Sequence, residues 1–206
     1  MIRKEYEVLR PFVEKPWQKL TFRQVQQYSK KKSESYVYNI LKKFVNKSIL
    51  AEEKAGNVTL YFLNLNNIKT MIYAGFIAEY SGWSQKHLPF SDLQRIASKI
   101  PTDFFIFLIT GSYAKNNQKK DSDIDVAVIC DDSLEPKRIY AELSHECEMS
   151  MPPAHLYVFR KSEFLAMLLS DKQNYGKEIA RNSLLLCGGE AYFRIMLEAL
   201  KHGFTG

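Results

Sequence analysis

The sequence has no long apolar segment and few cysteines. Its longest apolar run, residues 104–109, is much shorter than the stretch of about 20 residues that crosses a bilayer. The first five residues lack the apolar core of a secretory signal peptide. Cys130, Cys147 and Cys187 are far apart and odd in number, which indicates neither a disulfide framework nor a CxxC motif. We therefore expect a cytoplasmic protein.

Internal repeats and low-complexity tracts are also lacking. A length of 206 residues suits one large domain or two small ones. The apolar fraction of 46% is ordinary for a globular protein and is sufficient for a hydrophobic core.

The positive charge is concentrated in the first third of the chain. Residues 1–70 contain 14 Lys and Arg residues against 6 Asp and Glu residues, a net charge of +8. Residues 71–206 contain 15 against 17, a net charge of −2. A basic module joined to a slightly acidic one favours contact between the basic part and a polyanion. Charge alone leaves open that these lysines form only a solvated surface.

The first third predicts three helices followed by a two-stranded hairpin. Thr21 and Gln24 have the spacing of a capping box at the start of the second helix. Residues 55–57 form a tight turn between two strand-like segments. The predicted helices are 3–13, 22–29 and from Ser33 or Ser35 to about Lys47, the predicted strands are 49–50 and 58–63, and the predicted apolar faces comprise Phe22, Val25, Tyr28, Val37, Ile40, Leu41 and Phe44.

The stretch from Leu20 to Leu65, with "SESYVYNILKKFVNKSIL" at its centre, resembles a winged helix-turn-helix. The resemblance implies that the third helix enters the major groove of double-stranded DNA, usually as a homodimer on paired half-sites. Polar side chains and lysines on that helix suit contacts with bases and phosphates. The alternative is a winged helix used for dimerisation or protein contact. The DNA-binding candidates are Ser35, Tyr36, Tyr38, Asn39, Lys42 and Lys43.

A connector is predicted between the two parts of the chain. Residues 68–80 have helical apolar spacing, which favours a connector or a dimer contact and is most simply explained as core. Residues 81–84 and Pro89 then interrupt the helix. We predict a winged helix-turn-helix domain at 1–67, a connector at 68–90 and a further domain at 91–206.

Paired carboxylates follow a buried strand in the last part of the chain. The apolar run 104–109 predicts that strand, and Gly111-Ser112 follows it at once. Asp123 and Asp125 begin the next predicted strand, where residues two apart share a face. Two adjacent carboxylates repel each other unless a cation offsets their charge.

Magnesium would provide that charge. It takes carboxylate and phosphate oxygens as ligands, and two such ions can activate an attacking oxygen and stabilise departing pyrophosphate. Gly111 allows a phosphate to approach the backbone, Ser112 can bind it, and Lys115 can add positive charge near a triphosphate. These residues suit the transfer of a nucleotide from a nucleoside triphosphate.

The segment "LITGSYAKNNQKKDSDIDVAVI" is similar to the signature of the DNA polymerase beta-like nucleotidyltransferase superfamily, and the short domain is most similar to its minimal branch. The final stretch, "GKEIARNSLLLCGGEAYFRIMLEAL", also resembles the tail of those domains. The resemblance implies an α+β fold with a mixed sheet flanked by helices. It also implies Asp123 and Asp125 as catalytic metal ligands, and a nucleotide site at Gly111, Ser112 and Lys115.

The sequence departs from that pattern at one important place. Catalytic members usually have a third carboxylate on a later strand, but the predicted strand 155–159 contains no acid. His155 lies roughly where that acid is expected, and Glu163 follows the strand in the first turn of a predicted helix. The loop also reads Ala114-Lys115-Asn116, where the minimal branch often has Ala-Arg-Gly.

Three functions therefore stay open. The protein is a metal-dependent nucleotidyltransferase with an unknown acceptor, or a DNA-binding regulator whose second domain senses a nucleotide, or an antitoxin-like partner. The intact aspartate pair favours the first, and the missing acid and the basic N-terminal part favour the second. The third rests on family analogy alone.

Overall fold

The structure is a computed structural model that describes residues 4–206. It has helices and two sheets, which fits the predicted α+β class. The N-terminal elements are α1 (Tyr6–Glu14), β1 (Leu20–Thr21), α2 (Phe22–Tyr28), α3 (Glu34–Asn46), β2 (Leu50–Ala55) and β3 (Val58–Leu63). The elements that follow are α4 (Ile68–Trp83), α5 (Phe90–Ser98), β4 (Phe105–Thr110), α6 (Gly111–Ala114), β5 (Ile124–Cys130), α7 (Pro136–Glu148), β6 (Ala154–Arg160), α8 (Lys161–Leu169), α9 (Tyr175–Arg181), β7 (Leu184–Cys187) and α10 (Gly189–Lys201).

Local hydrogen bonds begin the helices of the N-terminal unit where the sequence predicts. The Thr21 hydroxyl accepts a bond from the Gln24 amide at 3.3 Å, and the Gln24 side chain accepts one from the Thr21 amide at 2.8 Å, which confirms the capping box. Ser33, rather than Ser35, caps α3 by accepting from the Tyr36 amide. The first predicted helix begins at Tyr6 instead of Arg3, and Arg3 lies outside the described residues.

A three-stranded antiparallel sheet, in the order β1-β3-β2, completes this unit. The β2–β3 hairpin turns at Gly56 and Asn57, as predicted, and Gly56 has φ +61°. The sequence did not predict β1, because only Leu20 and Thr21 pair with β3 and two residues carry no periodic signal.

Burial confirms the predicted apolar face of α3 and corrects that of α2. All four predicted α3 residues are buried. On α2, Val25 is buried and Phe22 is partly buried, but Tyr28 is 47% exposed. Tyr28 lies in the last turn of a short helix, where a tyrosine can keep its hydroxyl in water while its ring borders the protein.

Helix α4 runs three residues past its predicted end and has apolar residues on two faces. Met71 and Ile77 are buried, as predicted, but Ile68, Ile72 and Phe76 are about half exposed, so they are not core. When a helix has apolar residues on all sides, their spacing does not show which face packs against the rest of the protein. The face of α4 that contacts α1, α10 and β7 is buried, and the opposite face is exposed to solvent.

The contact of α4 with α10 joins the two parts of the chain. A Cβ atom on Gly75 would lie 2.7 Å from the Gly189 carbonyl carbon, and one on Gly189 would lie 2.5 Å from Gly75 Cα. The two helices therefore meet backbone to backbone. One continuous core runs from α1 and α3 through α4 to α10 and β4. The domain boundaries at 67 and 90 stay predictions.

The second sheet has the order β6-β5-β4-β7, with β5–β6 parallel and the other pairs antiparallel. Alternate residues of its central strands enter two cores. Leu108 and Ala127 join the core with α8 and α10, whereas Phe107 and Val128 join the core with α5 and α7. The predicted strand 104–109 is shifted by one residue, and Phe104 precedes it and is 81% exposed.

None of the helices in residues 4–206 is both long enough and apolar enough to span a membrane.

Gly75→Ala should destabilise the protein, although alanine favours helix over glycine by about 1 kcal/mol. The added methyl group has no room against the α10 backbone, so we expect a net loss of about 1–3 kcal/mol. Thermal unfolding measures it, with the exposed Lys69→Ala in the same helix as the control. A Gly75→Ala melting temperature equal to or above that of the parent would show that the close contact is not present.

Candidate active site

The candidate site lies where β4 ends and β5 begins. Antiparallel register places Thr110 opposite Asp125, so Gly111 directly borders the Asp125 side chain. A Cβ atom on Gly111 would lie 2.0 Å from Asp125 Oδ2, and Gly111 has φ +67°. Both the left-handed backbone and the close carboxylate require glycine here. The structure thus brings together two predicted site residues that are 14 positions apart.

The two aspartates differ in exposure. Asp125 is partly buried in β5, and Asp123 is exposed just before the strand. The flanking Ile124 and Val126 are buried, as the alternating pattern predicts. Burial raises the pKa of Asp125, the nearby charges of Asp123 and Glu178 raise it further, and His155 opposes the change. The negative charge of Asp125 is therefore only partly balanced by the other groups of residues 4–206.

His155 occupies the position directly opposite Asp125 on the neighbouring strand. The parallel register pairs the two residues, and His155 Nδ1 lies 3.7 Å from Asp125 Oδ1. The Tyr157 hydroxyl is 3.2 Å from the same nitrogen. Glu163, by contrast, lies in the first turn of α8 and accepts a bond from the Arg160 amide at 2.8 Å. Of the two candidates for the missing acid, His155 borders Asp125, whereas Glu163 caps a helix.

Helix α9 contributes residues that the sequence analysis did not single out. The Tyr175 ring packs against the Tyr157 ring with centroids 4.4 Å apart, and its hydroxyl is buried without a hydrogen-bond partner among residues 4–206. Burial raises the pKa of Tyr175, and the nearby Tyr157 and Asp125 add to that rise. Tyr175 directly precedes the C-terminal stretch 176–200, and no local pattern marks a tyrosine 50 positions from Asp125 as its neighbour.

Lys115 lies at the end of α6, and its ammonium group pairs with Glu178 of α9 at 3.2 Å. The lysine therefore follows the Gly111-Ser112 turn closely, as predicted. Both side chains are substantially exposed, so the pair is easily exchanged for a phosphate contact.

The donor set fits magnesium that arrives with a nucleotide. Among residues 4–206 no group of three or more His, Cys, Asp and Glu side chains is arranged to hold a metal ion. Magnesium does not need such a cage, because it is usually bound by one or two carboxylates together with substrate phosphates. Asp123 and Asp125 would hold it, and their incompletely offset charge favours a cation.

Comparison with known proteins agrees with this geometry. Residues 93–188 match the family model described as "Polymerase beta, Nucleotidyltransferase", a span that contains the Gly111 turn, both aspartates and His155. The match covers slightly less than half of the chain, and it shows that this segment is similar to the nucleotidyltransferase class of proteins. That class uses a nucleoside triphosphate and usually a divalent metal.

Other comparisons add less. A solved structure, "Crystal structure of the toxin-antitoxin with AMP-PNP", is similar over 55% of this chain and 86% of its own, with 14% identity and a TM-score of 0.41. None of the curated proteins matches the chain.

Asp125→Asn should stabilise the protein at pH 7 in the absence of nucleotide and metal. The change removes a partly buried charge that lies near other carboxylates, and we expect the melting temperature to rise by on the order of 2 °C. A raised carboxyl pKa costs stability only where the group is ionised. The gain should therefore shrink as the pH falls toward 3.8, the ordinary pKa of the group.

The exposed Asp123→Asn serves as the control and should change the melting temperature less. A lower melting temperature for Asp125→Asn at pH 7 would mean that the carboxylate is stabilised by its surroundings, contrary to this account.

Proposed function

We propose that the protein binds a magnesium–nucleoside triphosphate at Gly111, Ser112, Asp123 and Asp125 and transfers the nucleoside monophosphate to an acceptor. The observation that supports this most directly is the β4–β5 register, which joins the glycine turn to the aspartate pair. The family match over the same residues supports it independently.

Each residue has a definite part in this proposal. Gly111 leaves the backbone open to the phosphates, while Ser112 and nearby amides bind their oxygens. Lys115 leaves Glu178 and meets the triphosphate. Asp123 and Asp125 hold the cations, of which two are possible. Bound magnesium supplies charge neutralisation for the attacking oxygen and the departing pyrophosphate.

His155 limits the rate in this scheme. A neutral imidazole can accept the acceptor's proton, but it adds no negative charge to a magnesium site, for which oxygen ligands are better suited. Loss of one general base commonly costs on the order of 10²–10⁴ in rate. We therefore propose that the protein binds the nucleotide but that transfer by the protein alone is slow.

Titration calorimetry with ATP and the other triphosphates tests the nucleotide site. We expect magnesium-dependent binding that weakens at least about tenfold in Asp123→Asn/Asp125→Asn, because a lost charged contact is worth on the order of 1.4 kcal/mol or more. Asp131→Asn/Asp132→Asn is a matched control, since it makes the same change at the opposite end of β5. Equal binding by both double variants, or none by the parent, would refute the proposed site.

His155→Asp tests the role of the missing carboxylate. We expect its transfer rate with magnesium to exceed that of the parent by about tenfold or more, up to the 10²–10⁴ that a general base contributes. His155→Asn, which adds no charge, should not show the gain. Fast magnesium-dependent transfer by the parent that His155→Asp leaves unchanged would contradict the proposal that this site is weakened.

A second proposal concerns the N-terminal unit, which we propose is a DNA-binding winged helix-turn-helix. The order of its helices and its β2–β3 hairpin support that fold. Four of the candidate DNA contacts lie on one outward face of α3, at helical spacing of three and four: Ser35, Tyr38, Asn39 and Lys42.

Two candidate contacts lie off that face. Tyr36 packs partly against the core, and the Lys43 ammonium group donates to both Glu5 carboxylate oxygens at 2.9 Å. Tyr36 is about 100° and Lys43 about 80° around the helix from Ser35. Their role in DNA binding stays a prediction, because neither side chain lies on that outward face of α3.

The hairpin contains an acid that competes with DNA for Lys42. The Lys42 ammonium group donates to both Glu52 oxygens at 3.0 and 3.1 Å, and this bond raises the pKa of Lys42. The lysine is therefore charged but already paired. A DNA phosphate must replace Glu52 to use it, and repulsion between Glu52 and the phosphate opposes that exchange.

Glu52→Gln should therefore strengthen binding to duplex DNA severalfold. Lys42→Ala should weaken binding and lower by about 1 the slope of the logarithm of affinity against the logarithm of salt concentration. Anisotropy with the full chain at low salt measures both, together with Asn39→Ala, which should mainly alter sequence preference. Glu198→Gln is the matched charge control on the exposed side of α10. If the parent shows no DNA affinity at low salt, the unit has another role.

Homodimerisation belongs to this second proposal, because paired half-sites require two copies. The exposed apolar face of α4, formed by Ile68, Ile72 and Phe76, is available for it.

A regulator that only senses nucleotide would share the site described above and would lack transfer. The antitoxin-like function stays a prediction from family resemblance.

A further inference from the structure

Helix α4 exposes a continuous row of apolar side chains to solvent. Ile68, Ile72, Phe76 and Tyr80 follow one another at a spacing of four residues, so they lie along one face of the helix. Each of these residues is between 38% and 53% exposed, and Tyr73 beside them is 45% exposed. We call Ile68, Ile72, Phe76 and Tyr80 the α4 stripe.

Neighbouring rings hold the aromatic part of the α4 stripe in place. Phe76 and Tyr80 stack with ring centroids 6.3 Å apart, and the Tyr6 ring of α1 meets the Tyr80 ring edge-on at 5.3 Å. Side chains that are already ordered lose little conformational freedom when a partner covers them. The stripe therefore has the preorganisation of a binding surface.

Charged groups are few along α4. Its two charged residues are Lys69, in the first turn, and Glu79, near the end. The Glu79 carboxylate accepts a hydrogen bond from the Gly189 amide at 2.7 Å, on the side of α4 that packs against α10. The middle of the stripe, from Ile72 to Phe76, contains no charged residue. Apolar and aromatic residues without charge are typical of the centre of a protein–protein interface.

The exposed area of the α4 stripe is that of the centre of a dimer interface. With about 150–250 Å² for a whole aromatic side chain, the stripe and Tyr73 together expose on the order of 450 Å². A stable interface buries roughly 800 Å² on each partner, of which the outer part is a polar rim. Contiguous apolar patches of this size on a protein surface mark interaction sites.

A recess of about 320 Å³ borders the stripe. It lies between α1, the last part of α3 and α4, and the half-exposed Tyr73 and Phe76 form its α4 wall. Its α3 side carries Lys47 and Lys43, and Lys43 is paired with Glu5. The recess therefore has an apolar wall and a polar rim. A row of side chains beside a groove allows a second helix to pack its own row into that groove.

The even spacing makes the α4 stripe complementary to itself. When two α4 helices pack antiparallel about a twofold axis, residues equidistant from the axis face each other. An axis at Ala74 places Ile72 of one copy against Phe76 of the other, and Ile68 against Tyr80. Each pairing joins an aliphatic side chain to an aromatic ring. A different protein would have to provide a matching row, whereas a second copy of this chain already has one.

We propose that two copies of this chain join through antiparallel packing of their α4 stripes. The proposal deepens the DNA-binding proposal, because it gives the contact that forms the homodimer required by paired half-sites. It rests on DNA binding only for the use of the dimer, and on the exposed stripe for the contact itself. Its test contains neither DNA nor nucleotide, so a failure of DNA binding or of transfer would leave the dimer standing.

Analytical ultracentrifugation of the full chain measures the dimer. We expect the parent to be in monomer–dimer equilibrium with a dissociation constant in the micromolar range. Ile72→Glu and Phe76→Lys should each raise that constant at least about a hundredfold, because every dimer would then bury two unpaired charges. Both residues are half exposed, so both variants should keep the circular dichroism spectrum of the parent. Phe104→Lys, the same kind of change at an 81% exposed residue outside α4, should leave the equilibrium unchanged.

An equal mixture of the Ile72→Glu and Phe76→Lys chains tests the antiparallel arrangement. In the mixed dimer the new carboxylate of one chain faces the new ammonium group of the other, so the mixture should dimerise about tenfold or more tightly than either variant alone. A parallel pair would bring residue 72 against residue 72 and would show no such recovery.

Three results would overturn the proposal. They are a parent that stays monomeric at hundreds of micromolar, a dimer that both variants leave unchanged, and a mixture without recovery. A monomeric parent that still binds duplex DNA would refute this dimer while the DNA-binding proposal stands.

Discussion

The pairing of Thr110 with Asp125 across β4 and β5 is the contact on which the candidate site depends. The register places the left-handed Gly111 against the Asp125 carboxylate, where any side chain would collide with Oδ2. The parallel β5–β6 pairing separately places His155 beside the same aspartate. A shift of one residue would turn the aspartates toward the opposite core. The buried, alternating residues of both strands prevent such a shift.

The same sheet is tied to the N-terminal unit through α4. Gly75 and Gly189 bring α4 and α10 into backbone contact, and the shared core extends from there to α1 and α3. Packed interiors transmit small displacements, because they have few voids to absorb them. A ligand near Asp125 therefore acts on a body that is continuous with α3.

Local features of the sequence predicted much of this structure. The Thr21–Gln24 capping box, the α3 apolar face and the hairpin turn follow from neighbouring residues. The Gly-Ser to Asp-x-Asp arrangement was identified by its resemblance to a known family. Features that depend on tertiary packing were predicted poorly. Tyr28, Ile68 and Ile72 have core-like spacing but are about half exposed, and the Lys43–Glu5 and Lys115–Glu178 pairs join positions far apart in the chain. Tyr175 reaches the site for the same reason.

Release of pyrophosphate from each labelled nucleoside triphosphate, with magnesium and the unmodified full chain, tests the central claim most directly. We expect slow release, with the labelled nucleotide recovered on an acceptor and both signals lost in Asp125→Asn. Tight magnesium–nucleotide binding with no release under any acceptor condition would contradict nucleotidyl transfer and would favour a nucleotide-sensing domain.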